Sequence, residues 1–296
     1  MAGLFGDVLN MITNKTDYLN IGMSVGLLFV YFFGYGKMKF ISLVKKVLRL
    51  IKEYAIVYLK LISVLKKILW RVFMKFNEFI DHTLLKADAQ EEQIEKLCYE
   101  AQVHKFKSVC VNPCWISKCK ELLKDSDVLV CTVIGFPLGA STKEVKLFEA
   151  KDAIAKGADE LDMVINIGAL KNEKFECVEE EIKALAEVAH NADKVLKVII
   201  ETCLLTDSEK SKVSKLALSA GADFVKTSTG FSTGGATVSD VKLMRKAVDS
   251  SIGVKASGGV KSAETAQQMI AAGATRLGTS SGIEIVAGKS AAGGDY

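Results

Sequence analysis

Proline is almost missing from this chain of 296 residues, at two, and histidine numbers only three. So few prolines exclude collagen-like and proline-rich architectures, and an apolar share of 49% excludes a disordered chain. No C-x-x-C pair occurs among the seven cysteines. The paired ligands of a zinc site are therefore missing, although Cys110, Cys114 and Cys119 lie close in sequence, and no metal is expected. The odd cysteine count and the apolar or helical settings point to free thiols in a reducing compartment. Charge is missing from residues 18–36, and acid is nearly missing from residues 37–75, where eleven Lys/Arg face the single Glu53. The net charge of +4 thus hides a +10 segment followed by a remainder, residues 76–296, at −5. An acidic body argues against nucleic acid as a partner.

Residues 1–73 and 74–296 read as different objects. As a helix the uncharged run 18–36 spans about 28 Å, close to a bilayer core. Tyr18, Tyr31 and Tyr35 are placed for its interfaces. Lys37, Lys39, Lys45 and Lys46 follow at once, a bias that keeps the later chain on the cytoplasmic side. Neither a positive n-region nor an A-x-A site marks a cleaved signal. Residues 37–73 are predicted to form a basic amphipathic helix of the kind that lies on an anionic membrane, the alternative being a helix packed on another subunit. Met74 opens M-K-F-N-E-F-I-D-H-T-L-L-K-A-D-A, an ordinary start for a soluble enzyme. Residues 1–73 are expected to be either a membrane tether or an upstream extension of the reading frame.

From residue 79 apolar, β-branched runs alternate with helical segments. Strands are predicted at Phe79–Leu85, Ser108–Val111, Val128–Ile134, Glu160–Ile167, Leu196–Thr202, Phe224–Thr227, Gly253–Ala256 and Arg276–Gly278. Ser141 with Glu144 and Thr206 with Glu209 have capping-box spacing, Ser239 and Ser262 are candidate N-caps, and Gly157, Gly221 and Gly273 end helices. Eight such units in about 220 residues predict an α/β fold, a TIM (β/α)8 barrel. A doubly wound sheet is the runner-up, but the glycine-rich segments follow late strands rather than the first.

Two strands carry a lysine amid apolar residues, F-V-K-T-S-T-G (Lys226) and G-V-K-A-S-G-G (Lys255). Such a lysine is costly to desolvate unless it is paired or its pKa is depressed. On adjacent strands about 4.8 Å apart the two ammonium groups come near enough to repel, so one amine is expected to titrate closer to neutrality and attack a carbonyl, forming a Schiff base. Ser257-Gly258-Gly259 and Gly278-Thr279-Ser280-Ser281-Gly282 follow strands seven and eight, where this barrel commonly cradles phosphate, and Thr227–Gly230 adds donors. D-E-L-D-M-V-I-N puts Asp162 nearer the strand's C-terminal end than Glu160, which favours Asp162 for proton traffic. Asp81 and Thr83 on strand one are similarly placed. Asp159 reads as a loop residue and His82 as structural.

These motifs, with I-D-H-T-L-L, S-V-C-V-N-P, T-V-I-G-F-P-L-G, K-V-I-I-E-T and L-G-T-S-S-G, resemble the deoxyribose-phosphate aldolases from about Met74 onward. The resemblance implies reversible cleavage of 2-deoxy-D-ribose 5-phosphate to acetaldehyde and D-glyceraldehyde 3-phosphate by a cytoplasmic lyase without metal or organic cofactor. By motif it implies Lys226 as the Schiff-base nucleophile, Lys255 as the second lysine that lowers its pKa, and Asp162 in the proton relay. Asp81 and Thr83 match substrate-mouth positions, Gly230, Gly258, Gly259, Ser280 and Ser281 match phosphate binders, and Tyr296 matches a terminal tyrosine implicated in proton transfer. Phe231 departs from the lysine that some members carry after T-S-T-G. Cys110 matches a position where some relatives trap aldehydes. A monomer or homodimer is expected. The alternatives are another Schiff-base aldolase acting on a phosphosugar and a membrane-anchored, non-catalytic barrel.

Overall fold

The computed structural model describes residues 45–56, 58–59 and 76–290. The uncharged run 18–36, the flanks of the basic segment and Tyr296 lie outside them. The chain divides into two units, Met1–Phe73 and Met74–Tyr296. In the first, residues 45–56 and 58–59 are helical and exposed. Among the described residues no helix is long and apolar enough to cross a membrane.

In the second unit eight parallel strands close into a barrel in sequence order. They are β1 (Ile80–Leu84), β2 (Ser108–Val111), β3 (Leu129–Ile134), β4 (Glu160–Val164), β5 (Val195–Ile199), β6 (Phe224–Lys226), β7 (Gly253–Ser257) and β8 (Arg276–Thr279). Helices follow the strands: α1 (Glu91–His104), α2 (Ile116–Leu122), α3 (Lys143–Ala155), α4 (Ile167–Lys171), α5 (Phe175–His190), α6 (Asp207–Ser219), α7 (Val238–Val248), α8 (Ala263–Ala271) and α9 (Gly282–Val286). Closure is made by β1 against β8, where Asp81 pairs with Gly278. The predicted barrel is the observed one.

Strands covered on both faces read as unbroken apolar runs, which is why they were visible in sequence and why two of their ends were not. The fourth and fifth predicted strands overrun the observed ends by three residues. Asn166 leaves the sheet because its side chain caps α4, accepting from the Ala169 N–H at 2.9 Å. Glu201 leaves it in a left-handed conformation, φ 53°, that opens a 3-10 turn at Thr202–Leu204. The capping box of Thr206 and Glu209 and the cap at Ser262 form as predicted. At α3 the cap is Thr142 instead of Ser141, and at α7 it is Thr237 instead of Ser239. Gly157, Gly221 and Gly273 follow their helices with φ of 102°, 85° and 114°, conformations that favour glycine.

Candidate active site

The barrel interior is charged. Register sets Lys226 of β6 opposite Lys255 of β7, and Asp162 of β4 opposite Lys197 of β5. Asp162 is the hub. Its Oδ2 accepts from Lys226 Nζ at 2.8 Å and from Lys255 Nζ at 2.7 Å, while its Oδ1 accepts from Lys197 Nζ at 2.8 Å and from the Cys131 thiol at 3.1 Å. Lys255 Nζ also lies 2.5 Å from Asp81 Oδ2, and Lys197 Nζ lies 2.6 Å from Glu160 Oε2. Arg276, the first residue of β8, donates to Asp81 Oδ1 at 2.7 Å and reaches both oxygens of Glu160 at 3.0–3.2 Å. Four cations and three carboxylates thus form one buried set.

Burial by itself would raise the Asp162 carboxyl, but Lys197, Lys226 and Lys255 overcome it and hold the group well below the usual carboxylate range. Lys255 shows the mirror case. Burial pulls its ammonium down, and Asp162 and Asp81 more than offset that, holding it well above the ordinary lysine value. Lys197 is raised too, against its own burial, chiefly by Asp162. The two lysines predicted to repel therefore share one carboxylate oxygen, and Lys255 is bound to a second carboxylate as well. Position separates them further. Lys255 lies mid-strand with 0% exposure, whereas Lys226 is the last residue of β6 and keeps 3%.

Other expected residues surround this set. The Thr83 hydroxyl is buried and donates to the Asp81 carbonyl at 2.8 Å. Gly230, Gly258 and Gly259 take φ of 86°, 82° and 77° in the loops after β6 and β7. A Cβ on Gly258 would come within 2.9 Å of the Gly235 backbone, so glycine is required there. After β8, Ser280 is exposed and Ser281 is buried, its N–H held by Thr279 Oγ1 at 2.9 Å. These loops leave the same strand ends as Lys226. Phe231 packs edge-on against Phe136 with ring centroids 5.2 Å apart. Asp159 is a loop residue, accepting from the Val130 N–H at 3.0 Å and from Lys120 at 2.9 Å. His82 bonds Glu100 at 2.8 Å and stacks obliquely on Phe106.

The three cysteines close in sequence separate in space. Cys114 is exposed and Cys119 hydrogen-bonds Cys98. Cys110 points to Cys131, whose hydrogen bond lowers the Cys110 thiol while burial pushes Cys131 up. Cys110, Cys131 and Asp162 present ligand atoms within 4.8 Å of one another, but a metal ion there would face the four cationic side chains already converging on the carboxylates.

A family model for DeoC/LacD family aldolases matches residues 78–288. The chain belongs to this family. A relative from Streptococcus uberis (strain ATCC BAA-854 / 0140J), named deoxyribose-phosphate aldolase, is 61% identical over 221 residues, which are 75% of this chain and 100% of the relative. One of the same name from Brevibacillus brevis (strain 47 / JCM 6285 / NBRC 100599) is 60% identical over 223 residues, with the same coverage. Among solved structures, a tetrameric deoxyribose phosphate aldolase from Aeropyrum pernix is 36% identical with a TM-score of 0.68, covering 72% of this chain and 89% of its own.

Three buried charged side chains at this site escaped the sequence reading as site residues. Lys197 and Arg276 complete the charge set. Glu201, buried and left-handed, receives the Thr229 N–H at 3.3 Å and the Thr229 hydroxyl, anchoring the T-S-T-G loop. The signal for Lys197 was present: K-V-I-I sets a lysine in an apolar strand just as the other two motifs do.

Proposed function

We propose that this aldolase cleaves 2-deoxy-D-ribose 5-phosphate reversibly to acetaldehyde and D-glyceraldehyde 3-phosphate, with Lys226 as nucleophile. The observation that carries the assignment is the inequality of the two paired lysines. Lys226 ends its strand on one carboxylate oxygen of Asp162, while Lys255 is held mid-strand between Asp81 and Asp162 with no exposure. Lys226 passes its ammonium proton to Asp162 across their 2.8 Å contact, and the freed amine adds to the C1 aldehyde of the open-chain sugar. That proton returns to the carbinolamine hydroxyl, which leaves as water and gives an iminium beside the Asp162 carboxylate. The C3 hydroxyl proton passes through a water to Asp162, the C2–C3 bond breaks, and its electron pair moves to the iminium nitrogen as an enamine. Glyceraldehyde 3-phosphate departs, the enamine takes a proton at C2, and water releases acetaldehyde from Lys226. Lys255 stays charged and keeps Asp162 oriented.

Gly230, Gly258, Gly259, Ser280 and Ser281 hold the phosphate, and Asp81 and Thr83 contribute from β1, the strand beside β8. Binding the distant phosphate keeps C1 in register with the amine. Phe231 places an aromatic face where a cationic side chain would otherwise reach that anion. Tyr296 serves proton transfer at C2. The enzyme works as a monomer or homodimer in a reducing cytosol, in keeping with the free thiols of the described barrel.

Acetaldehyde with borohydride should leave a stable ethyl group on Lys226, located by peptide mass mapping. No adduct, or one confined to Lys255, overturns the assignment. Turnover of deoxyribose 5-phosphate, measured beside other phosphosugars, separates this reading from a different Schiff-base aldolase and from an inactive barrel.

A further inference from the structure

The basic helix carries chemistry that the barrel does not use. At 100° per residue the described stretch sorts its side chains into two arcs. Lys45, Lys46, Arg49, Lys52 and Glu53 fall within about 120° of one another, and Val47, Leu48, Leu50, Ile51, Tyr54 and Leu59 fill an opposite arc of about 180°, with Ile56 the exception inside the basic arc. The apolar arc is exposed, Leu48 at 58%, Tyr54 at 74% and Leu59 at 64%.

We propose that residues 45–59 are a docking surface for an anionic lipid bilayer. A helix seated on one neighbouring helix or sheet needs an apolar stripe of roughly 100°, whereas an arc approaching half the circumference is what a planar interface immerses. Lys46 and Lys52 flank that arc, where lysine stems lie along the apolar boundary and their charges meet lipid phosphates, and Lys45 and Arg49 add positive field from the opposite side. Charge complementarity also selects the partner. A second copy would set the +10 of residues 37–75 against another +10, while an anionic leaflet supplies the missing sign. The uncharged run 18–36 stands next to this surface in the chain. The inference is independent of the barrel's reaction.

The test mixes the full-length chain with vesicles of phosphatidylcholine alone or of phosphatidylcholine with phosphatidylglycerol, followed by sedimentation. Binding is expected to favour the anionic vesicles and to weaken as salt rises. Changing Lys45, Lys46, Arg49 and Lys52 together to Gln should lower the partition coefficient by about 100-fold or more. Leu48→Asp with Ile51→Asp should lower it by about tenfold or more while leaving every cation in place. Turnover of the barrel serves as the folding control and is expected to be unchanged in both variants. Equal binding to both vesicle types, binding that the four-residue variant retains, or no binding to either overturns the proposal.

Discussion

Lysine does opposite work in the two units of this protein. In the N-terminal helix Lys45, Lys46, Arg49 and Lys52 stand exposed, and the ion pair of Arg49 with Glu53, at 3.2 Å, joins side chains that are 82% and 60% exposed. In the barrel Lys197, Lys226, Lys255 and Arg276 are buried against Asp81, Glu160 and Asp162. An exposed pair is worth about 0–1 kcal/mol, because water already solvates both charges. A buried set gains more from mutual attraction and loses more to desolvation, so removing one partner leaves charges with nothing to replace their hydration. The same side chain is thus replaceable in one unit and irreplaceable in the other, and sequence composition alone does not distinguish the two.

The largest effect that would break this comparison is at the hub. Asp162→Asn leaves three ammonium groups around a neutral amide and is expected to cost about 3–5 kcal/mol of unfolding free energy, read from urea denaturation, together with most turnover. A loss below about 1 kcal/mol would mean that the buried set behaves like the surface. Next comes Gly278→Ala. Its Cβ would meet Ser257 Oγ at 2.3 Å and Lys255 Cε at 3.0 Å, pushing Lys255 off its carboxylates. A cost of about 1–3 kcal/mol is expected, with kcat falling more than KM rises.

The pH dependence sharpens the contrast. Asp162 is depressed in the native state, so its stabilisation is present above the ordinary carboxylate value of 3.8 and is lost only as pH falls through the lower native value. Lys255 is raised, so its contribution is fully present below 10.5 and is lost only as pH rises through the higher native value. Urea midpoints should therefore show no step from these two groups between about pH 5 and 9, and a step that vanishes in Asp162→Asn would contradict the assignment. The smallest expected effect is Glu53→Gln on the exposed helix, within about 0.5 kcal/mol by thermal unfolding.

Much of the barrel was legible because parallel strands buried on both faces advertise themselves as apolar runs, and Lys226, Lys255 and Asp162 stood out against them. Side chains whose meaning depends on closure were harder. Arg276 opens its strand, where a basic residue usually marks a loop edge, and its partner Asp81 lies 195 residues earlier. Lys197 carried the same local signal as its neighbours but led into no glycine-rich loop, so nothing singled it out. The displaced caps at Thr142 and Thr237 show the limit of spacing rules, because several hydroxyls competed for each helix start and backbone geometry chose among them.

The bond between Arg276 and Asp81 also has a meaning for synthesis. A chain emerging from the ribosome exposes Lys226 before β7 and β8 have appeared, and until then neither the second lysine nor the clasp joining the last strand to the first is in place. The amine proposed as nucleophile meets its full set of charged neighbours only once β7 and β8 are out, so a growing chain completes that set at the end, together with its shape.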